Sequence, residues 1–194
     1  MRASALSLAI LFGSAALGTG ALAAEITYKP SGTASPAKRS VVLKVVDNRP
    51  LHQGGKEGQY VGYRRSAVGL KARIKVDGPG VVPDLARAVT VDALGQAGVG
   101  VSAEAPVVLT AQVLAFWMDW ASYELFSGIG YRGAVAVEYT LQDSSGKTLW
   151  KGLAAVEQTY KRDSAEKLFG PALPRLAARA SKTFESEEFL KAIP

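Results

Sequence analysis

Val107-Val108-Leu109-Thr110-Ala111-Gln112-Val113-Leu114-Ala115-Phe116-Trp117-Met118-Asp119 is the stretch on which the fold turns. Val107, Leu109, Ala111, Val113, Ala115 and Trp117 recur at period two, which places them on one side of a long strand. The opposite side begins polar, with Thr110 and Gln112, and ends apolar, with Leu114, Phe116 and Met118. That far end must be covered on both faces or expose an apolar edge.

Two further strands follow on the carboxyl side. Gly133, Val135, Val137, Tyr139 and Leu141 alternate with Ala134, Ala136, Glu138, Thr140 and Gln142, the pattern of a half-buried antiparallel strand. Asp143-Ser144-Ser145-Gly146 supplies a hairpin turn, and a return strand covers residues 147–160. Residues 122–130 read as the connection before this hairpin, with Gly128 and Gly130 near its end. Asp163 or Ser164 is placed to cap a last helical region. There Leu168, Phe169, Leu173, Leu176, Ala177, Ala180 and Phe184 fall at helical spacing, and Gly170-Pro171 and Pro174 are expected to restart the helix. Ser186-Glu187-Glu188 opens a final short turn.

On the amino side, Ser40-Val41-Val42-Leu43-Lys44-Val45-Val46 is a β-branched strand that stops at Asp47-Asn48-Arg49-Pro50. Residues 51–80 are glycine-rich and less regular, with short strands predicted at 60–63 and 72–76. Pro83 suits a first helical turn, and Leu85, Val89 and Ala93 share one face of a helix ended by Gly95 or Gly98. Val99-Gly100-Val101 is a short strand. The order predicts an α+β fold: an antiparallel or mixed sheet with two helices packed on one face, as a two-layer sandwich.

Residues 1–23 read as an export signal. Arg2 is the basic start, residues 6–17 the apolar stretch, and Ala21-Leu22-Ala23 the small-x-small cleavage site. Residues 24–39, with Pro30, Gly32 and Pro36, read as a flexible tether, and residues 40–194 as a single domain. The expected address is the periplasm, with no transmembrane span in the mature chain.

Composition narrows the chemistry. The chain holds 23 Lys and Arg against 17 Asp and Glu, and no cysteine. Thiol nucleophiles, cysteine-held zinc and iron–sulfur clusters are excluded, and so is acylation of an amino-terminal cysteine. Cleavage after Ala23 removes only Arg2, leaving 22 cations, 17 anions and a net +5. Lys38, Arg39, Lys44, Arg49, Lys56, Arg64, Arg65, Lys71, Arg73 and Lys75 meet only Asp47 and Glu57 in their stretch. This is either a solvated face or a patch for an anionic partner, an anionic lipid or an acidic envelope protein. No nucleic-acid motif is present.

The first strand with its terminal acid and arginine, Val41 through Arg49, and the Val61-Gly62 segment resemble the YajG-type bacterial envelope lipoproteins. The later order agrees: a helix before Gly98-Val99, a long strand, the hairpin at 143–146 and a carboxyl-terminal helix. The resemblance covers roughly residues 40–190 and rests on short motifs. It implies a small α+β envelope protein without enzymatic activity. The chain departs from that family in lacking the lipidated cysteine, so anchoring does not carry over.

His52 is the only histidine, with Glu57 as its only nearby acid. It is read as a loop residue, and no metal or cofactor is expected. No Gly-x-Ser-x-Gly elbow or phosphate loop occurs. At the strand end, Asp47 and Asn48 are expected to bond turn backbone and Arg49 to pair with an acid. Asp119, Glu124, Glu138 and Glu157 are scattered carboxylates, and a glycan hydrolase would need two of them facing one cleft.

Phe116, Trp117, Trp120, Tyr123 and Phe126 form the densest aromatic cluster. Such clusters are core in most folds, yet apolar residues at both parities also suit an interaction surface. Trp117, Trp120, Tyr123 and Phe126, with Arg64, Arg65 and Arg132 folded beside them, are the candidate partner-binding residues. The preferred reading is a non-catalytic envelope protein that binds a macromolecular or lipid partner. The alternatives are a small periplasmic hydrolase acting on glycans and a structural, homo-oligomeric subunit of an envelope assembly.

Overall fold

A computed structural model of the chain describes residues 22–50, 53, 59–65, 71–76, 81–124, 128–160 and 165–194. Among these, eight strands and three helices form a mixed α+β fold with a curled sheet. The strands are β1 (Leu22–Ala24), β2 (Arg39–Asp47), β3 (Tyr60–Arg65), β4 (Lys71–Val76), β5 (Val99–Val101), β6 (Val108–Glu124), β7 (Gly128–Gln142) and β8 (Thr148–Tyr160). The helices are α1 (Val81–Gln96), α2 (Ala165–Phe184) and α3 (Glu187–Ala192).

The long strand β6 is the spine. One edge pairs antiparallel with β7 along its whole length, and β7 pairs antiparallel with β8. The other edge is shared: β2 runs parallel beside residues 108–113, and β3 meets it further along, Gly62 opposite Met118. β5 and β4 flank β2 and β3, and β1 pairs with β4. Sharing one edge between two strands bends the sheet, so a flat two-layer sandwich is replaced by a curled sheet. α1 lies against β2 and β6, α2 against β7 and β8, and the two helices touch each other.

α1 buries Val82, Leu85, Ala86, Val89, Thr90, Ala93 and Leu94. Thr90 is a weak helix former, but its buried hydroxyl donates to the Ala86 carbonyl at 2.7 Å and stands 3.4 Å from the Tyr139 hydroxyl. Burial raises the Tyr139 phenol to about 12, so it stays protonated. Gly98, at φ 73°, ends the helix in a left-handed turn. The core is completed by Phe116 stacked on Phe169 at 4.4 Å and by Tyr139, Trp150 and Phe189 around Phe184.

Three expectations are corrected. α2 does not restart at its prolines; one helix runs through Pro171 and Pro174. Both prolines are exposed, and Leu168, Phe169, Leu173 and Leu176 bury the other face, whose packing outweighs the lost helix hydrogen bonds. β6 continues to Glu124 and β7 begins at Gly128, so the expected connection at 122–130 is mostly strand. Residues read as a tether pack instead. Ala24 and Ile26 are buried, and Tyr28 and Ser31 bind Asp92 of α1. Ser35 N–H donates to the Gly95 carbonyl at 2.9 Å. The last helix fits expectation: the Ser186 hydroxyl accepts from Phe189 N–H and caps α3.

Candidate functional site

The site begins with a miscount in β6. Val113 pairs with Val137, but Ala115 pairs with Ala136, so Leu114 is an extra residue. A bulge of this kind exchanges the two faces of a strand beyond it. Before it, Leu109, Ala111 and Val113 are buried; after it, Phe116 and Met118 are. Trp117, expected on the same side as Leu109, is turned to the other face and is half-buried. The apolar residues at both parities therefore do not mean a strand covered on both sides. They mean one buried face that changes parity at Leu114. A second irregularity follows, with Trp120 opposite Tyr131 and Ser122 opposite Gly130.

On the outer face, the Tyr63 ring meets Trp117 edge-on at 5.6 Å and 82°. Trp117 pairs with Ala134, and Ala134 with Glu157; one row on, Arg132 lies between Asp119 and Thr159. Trp117, Arg132, Ala134, Glu157 and Thr159 line a cavity of about 700 Å³. Beside it, β3 and β4 carry Arg64, Arg65, Lys71, Arg73 and Lys75 and no acid. Arg73 sits over the Tyr60 ring at 4.9 Å. The wall holds one cation, Arg132, and one anion, Glu157, and five further cations stand on β3 and on β4 beyond it.

Of the candidate residues, the structure brings Trp117 and Arg132 together. Arg64 and Arg65 lie on β3, which runs beside the far half of β6. Trp120 and Tyr123 lie on β6, opposite Tyr131 and Ile129. The side chains of Arg64, Arg65, Trp120 and Tyr123 are outside the described set, and Phe126 and His52 lie outside the described residues. Tyr63 was not singled out from the sequence. Its place between Gly62 and the Arg64-Arg65 pair was the available signal. Glu138 and Glu157 both lie on the outer face, but Glu138 pairs with Leu153, four residues from Glu157 along β8. At about 3.3 Å per residue their backbone positions lie about 13 Å apart along the strand, so the register does not set the two acids side by side.

At the Asp47-Asn48-Arg49 corner, Arg49 pairs with an acid and Asp47 accepts from the Arg49 backbone N–H at 3.2 Å, as expected, whereas Asn48 bonds a side chain and not turn backbone. Arg49 is only 5% exposed. Its Nε and Nη2 donate to the two Asp47 oxygens at 2.9 and 2.8 Å. Nη1 donates to the carbonyls of Gln53, Tyr60 and Phe116 at 3.0, 2.7 and 3.0 Å. Asn48 donates to the Gln112 side chain at 3.4 Å.

A second cavity, about 710 Å³, lies between residues 30–37, the outer face of α1 and β5. Its lining is mainly small and apolar, with Ala34, Ala37, Ala88, Val91 and Val101, and Asp84, Arg87 and Asp92 are among its polar residues. One wall is pinned at Asp92. Burial alone would raise this carboxyl, but hydrogen bonds from Tyr28, Ser31 and Gln96 outweigh it and hold it below the ordinary range. Among the described residues, no group of three or more Asp, Glu or His is placed to hold a metal ion. No described helix is long and apolar enough to cross a membrane.

No protein-family model matches the sequence, and no curated protein matches it. Solved structures share the fold. A Xanthomonas campestris protein of family DUF330 superposes with a TM-score of 0.52 at 10% identity, covering 89% of this chain and 95% of its own. An uncharacterized protein superposes at 0.50 and 12% identity, covering 84% and 97%. At these identities the likeness is one of fold: the chain is similar to these proteins in architecture over nearly their whole length.

Proposed function

We propose that the protein is a non-catalytic component of the bacterial cell envelope, exported to the periplasm, that binds an anionic partner through the Trp117 face. The observation that carries this reading is the bulge at Leu114, which spends a large aromatic side chain on the outer face instead of the core. Arg132 in the cavity wall is offset by Glu157 there, so the acid-free strands β3 and β4 would supply the excess positive charge. Aromatic burial would hold the partner, and the cations would steer it and set the salt sensitivity. The export-signal reading of residues 1–23 and the YajG-type resemblance support the address; without a cysteine to acylate, the mature chain would be free in the periplasm.

The test is a tryptophan-fluorescence titration of the purified protein with phosphatidylglycerol vesicles, and separately with a polyglutamate peptide, at low and high salt. A change with either ligand that weakens at high salt and in Trp117→Ala and Arg132→Glu variants supports the reading. No change with either ligand at low salt contradicts it. Amino-terminal sequencing of the native protein tests the address: the expected first residue is Ala24, with Leu22 and Ala23 of β1 removed and the sheet then starting at β2, and an uncleaved cytosolic chain would overturn it.

A further inference from the structure

β8 is an edge strand of 13 residues, paired among the described residues only with β7. Long free edges invite another strand. Three of the six exposed large apolar side chains of the described structure lie in it: Leu149 at 37%, Leu153 at 57% and Tyr160 at 39%. The Arg179 guanidinium reaches the Ala155 carbonyl from α2, which shows that this carbonyl faces the free side. In an antiparallel ladder the backbone groups of alternate residues face the same side. Lys151, Leu153, Ala155, Glu157 and Thr159 therefore offer N–H and C=O to an incoming strand, and their side chains stand on the outer face.

We propose that β8 is a self-association site, pairing antiparallel with β8 of a second copy about a two-fold axis at Ala154. Only odd positions carry free backbone groups, so odd residues must meet odd residues. With the axis at Ala154, Leu153 lies beside Ala155 of the second copy, and Lys151 lies beside its Glu157. By symmetry Glu157 lies beside the second Lys151, so two unlike-charge pairs form. An axis at Leu153 sets Lys151 beside Ala155 and Glu157 beside Leu149. An axis at Ala155 sets Lys151 beside Thr159 and buries Glu157 against Leu153. Of these three registers, only that at Ala154 matches charge with charge and a large apolar side chain with a small one. Lys151 and Glu157 have no ion pair among the described residues, and both are exposed. In the single chain Lys151 blunts the edge, and Arg179 occupies the central carbonyl until a second strand displaces it. The edge shares Glu157 and Thr159 with the wall of the Trp117 cavity, but the strand pairing does not require that the cavity bind a partner.

Sedimentation of the purified protein from 1 to 100 µM tests it. The expected result is a reversible dimer. Lys151→Glu and Glu157→Lys each weaken it about tenfold or more, because each turns both attractive pairs repulsive, and the double exchange restores it. Arg179→Ala tightens it. Amide exchange on the unaltered protein gives a readout independent of any variant: Leu153, Ala155 and Glu157 gain protection as concentration rises, and Ala154 and Val156 do not. A monomer at 100 µM, a dimer indifferent to both single reversals, or a double variant no stronger than the singles overturns the proposal.

Discussion

Arg49 and Phe116 are 67 residues apart, and the Arg49 guanidinium donates to the Phe116 carbonyl at 3.0 Å. The same group binds Asp47 at the end of β2 and the Tyr60 carbonyl at the start of β3. It thus ties together the two strands that share one edge of β6, two residues past the bulge. Arg49→Ala is expected to cost about 3–5 kcal/mol, because it leaves the Asp47 carboxylate and three carbonyls without their donor. Arg49→Lys should recover little of this, since an ammonium cannot reproduce the planar fork. Urea unfolding, read as a midpoint shift at constant slope, measures both.

Leu114 sets the parity of everything after it. Without it, Ala115 follows Val113 as the outward residue, and Phe116 and Met118, each 1% exposed, keep their places in the core. Deletion is therefore expected to straighten the strand at a cost of about 1–3 kcal/mol, within a total stability of about 5–15 kcal/mol. A cooperative thermal transition is expected to survive it. Leu114→Ala keeps the count and should cost about 1 kcal/mol, since the side chain is only half-buried.

Gly62 is where β3 reaches β6. Its φ is 138°, and a Cβ there would stand 2.0 Å from the Met118 carbonyl oxygen. Only glycine permits that approach. Gly62→Ala is expected to destabilise by about 2 kcal/mol or more through strain and a forced separation of the strands. A thermal melt followed by circular dichroism checks it; an unchanged midpoint would refute the close crossing.

The Asp92 clasp carries a pH dependence. Its carboxyl is held below the ordinary value, so the clasp is at full strength above about pH 4, the unfolded range. It weakens as pH falls through the lower folded value. The group is mostly solvated, so screening limits its worth to on the order of 1 kcal/mol. Amide exchange of residues 31–37, corrected for intrinsic rate, should show protection at pH 7 that is lost at low pH. Asp92→Asn should lose part of it at pH 7.

Much of the fold was legible because its signals are local. β7 announces itself by alternation, β2 by its β-branched run, β8 by the hairpin turn before it, α1 by Leu85, Val89 and Ala93, α3 by Ser186, and the Asp47–Arg49 pair by its place at a strand end. What was not legible depends on counts between strands. Leu114 and Ala115 are both apolar, so nothing in the stretch marks which is the extra residue; only the pairing with Val137 and Ala136 does. Pro171 and Pro174 read as breaks because their exposure is set by packing of the opposite helix face. Residues 24–39 read as a tether because Asp92, their anchor, lies more than 60 residues away.

The outward turn of Trp117 is the claim on which the functional reading rests, and one measurement addresses it most directly. A benzophenone amino acid replaces Trp117 in cells making the full chain, with the same group at exposed Lys147 as control, and the cells are irradiated. The expected result is a covalent adduct, to lipid or to protein, at position 117 alone, lost when Arg132 is changed to Glu. Absence of any adduct at 117, or equal yields at 117 and 147, would contradict it.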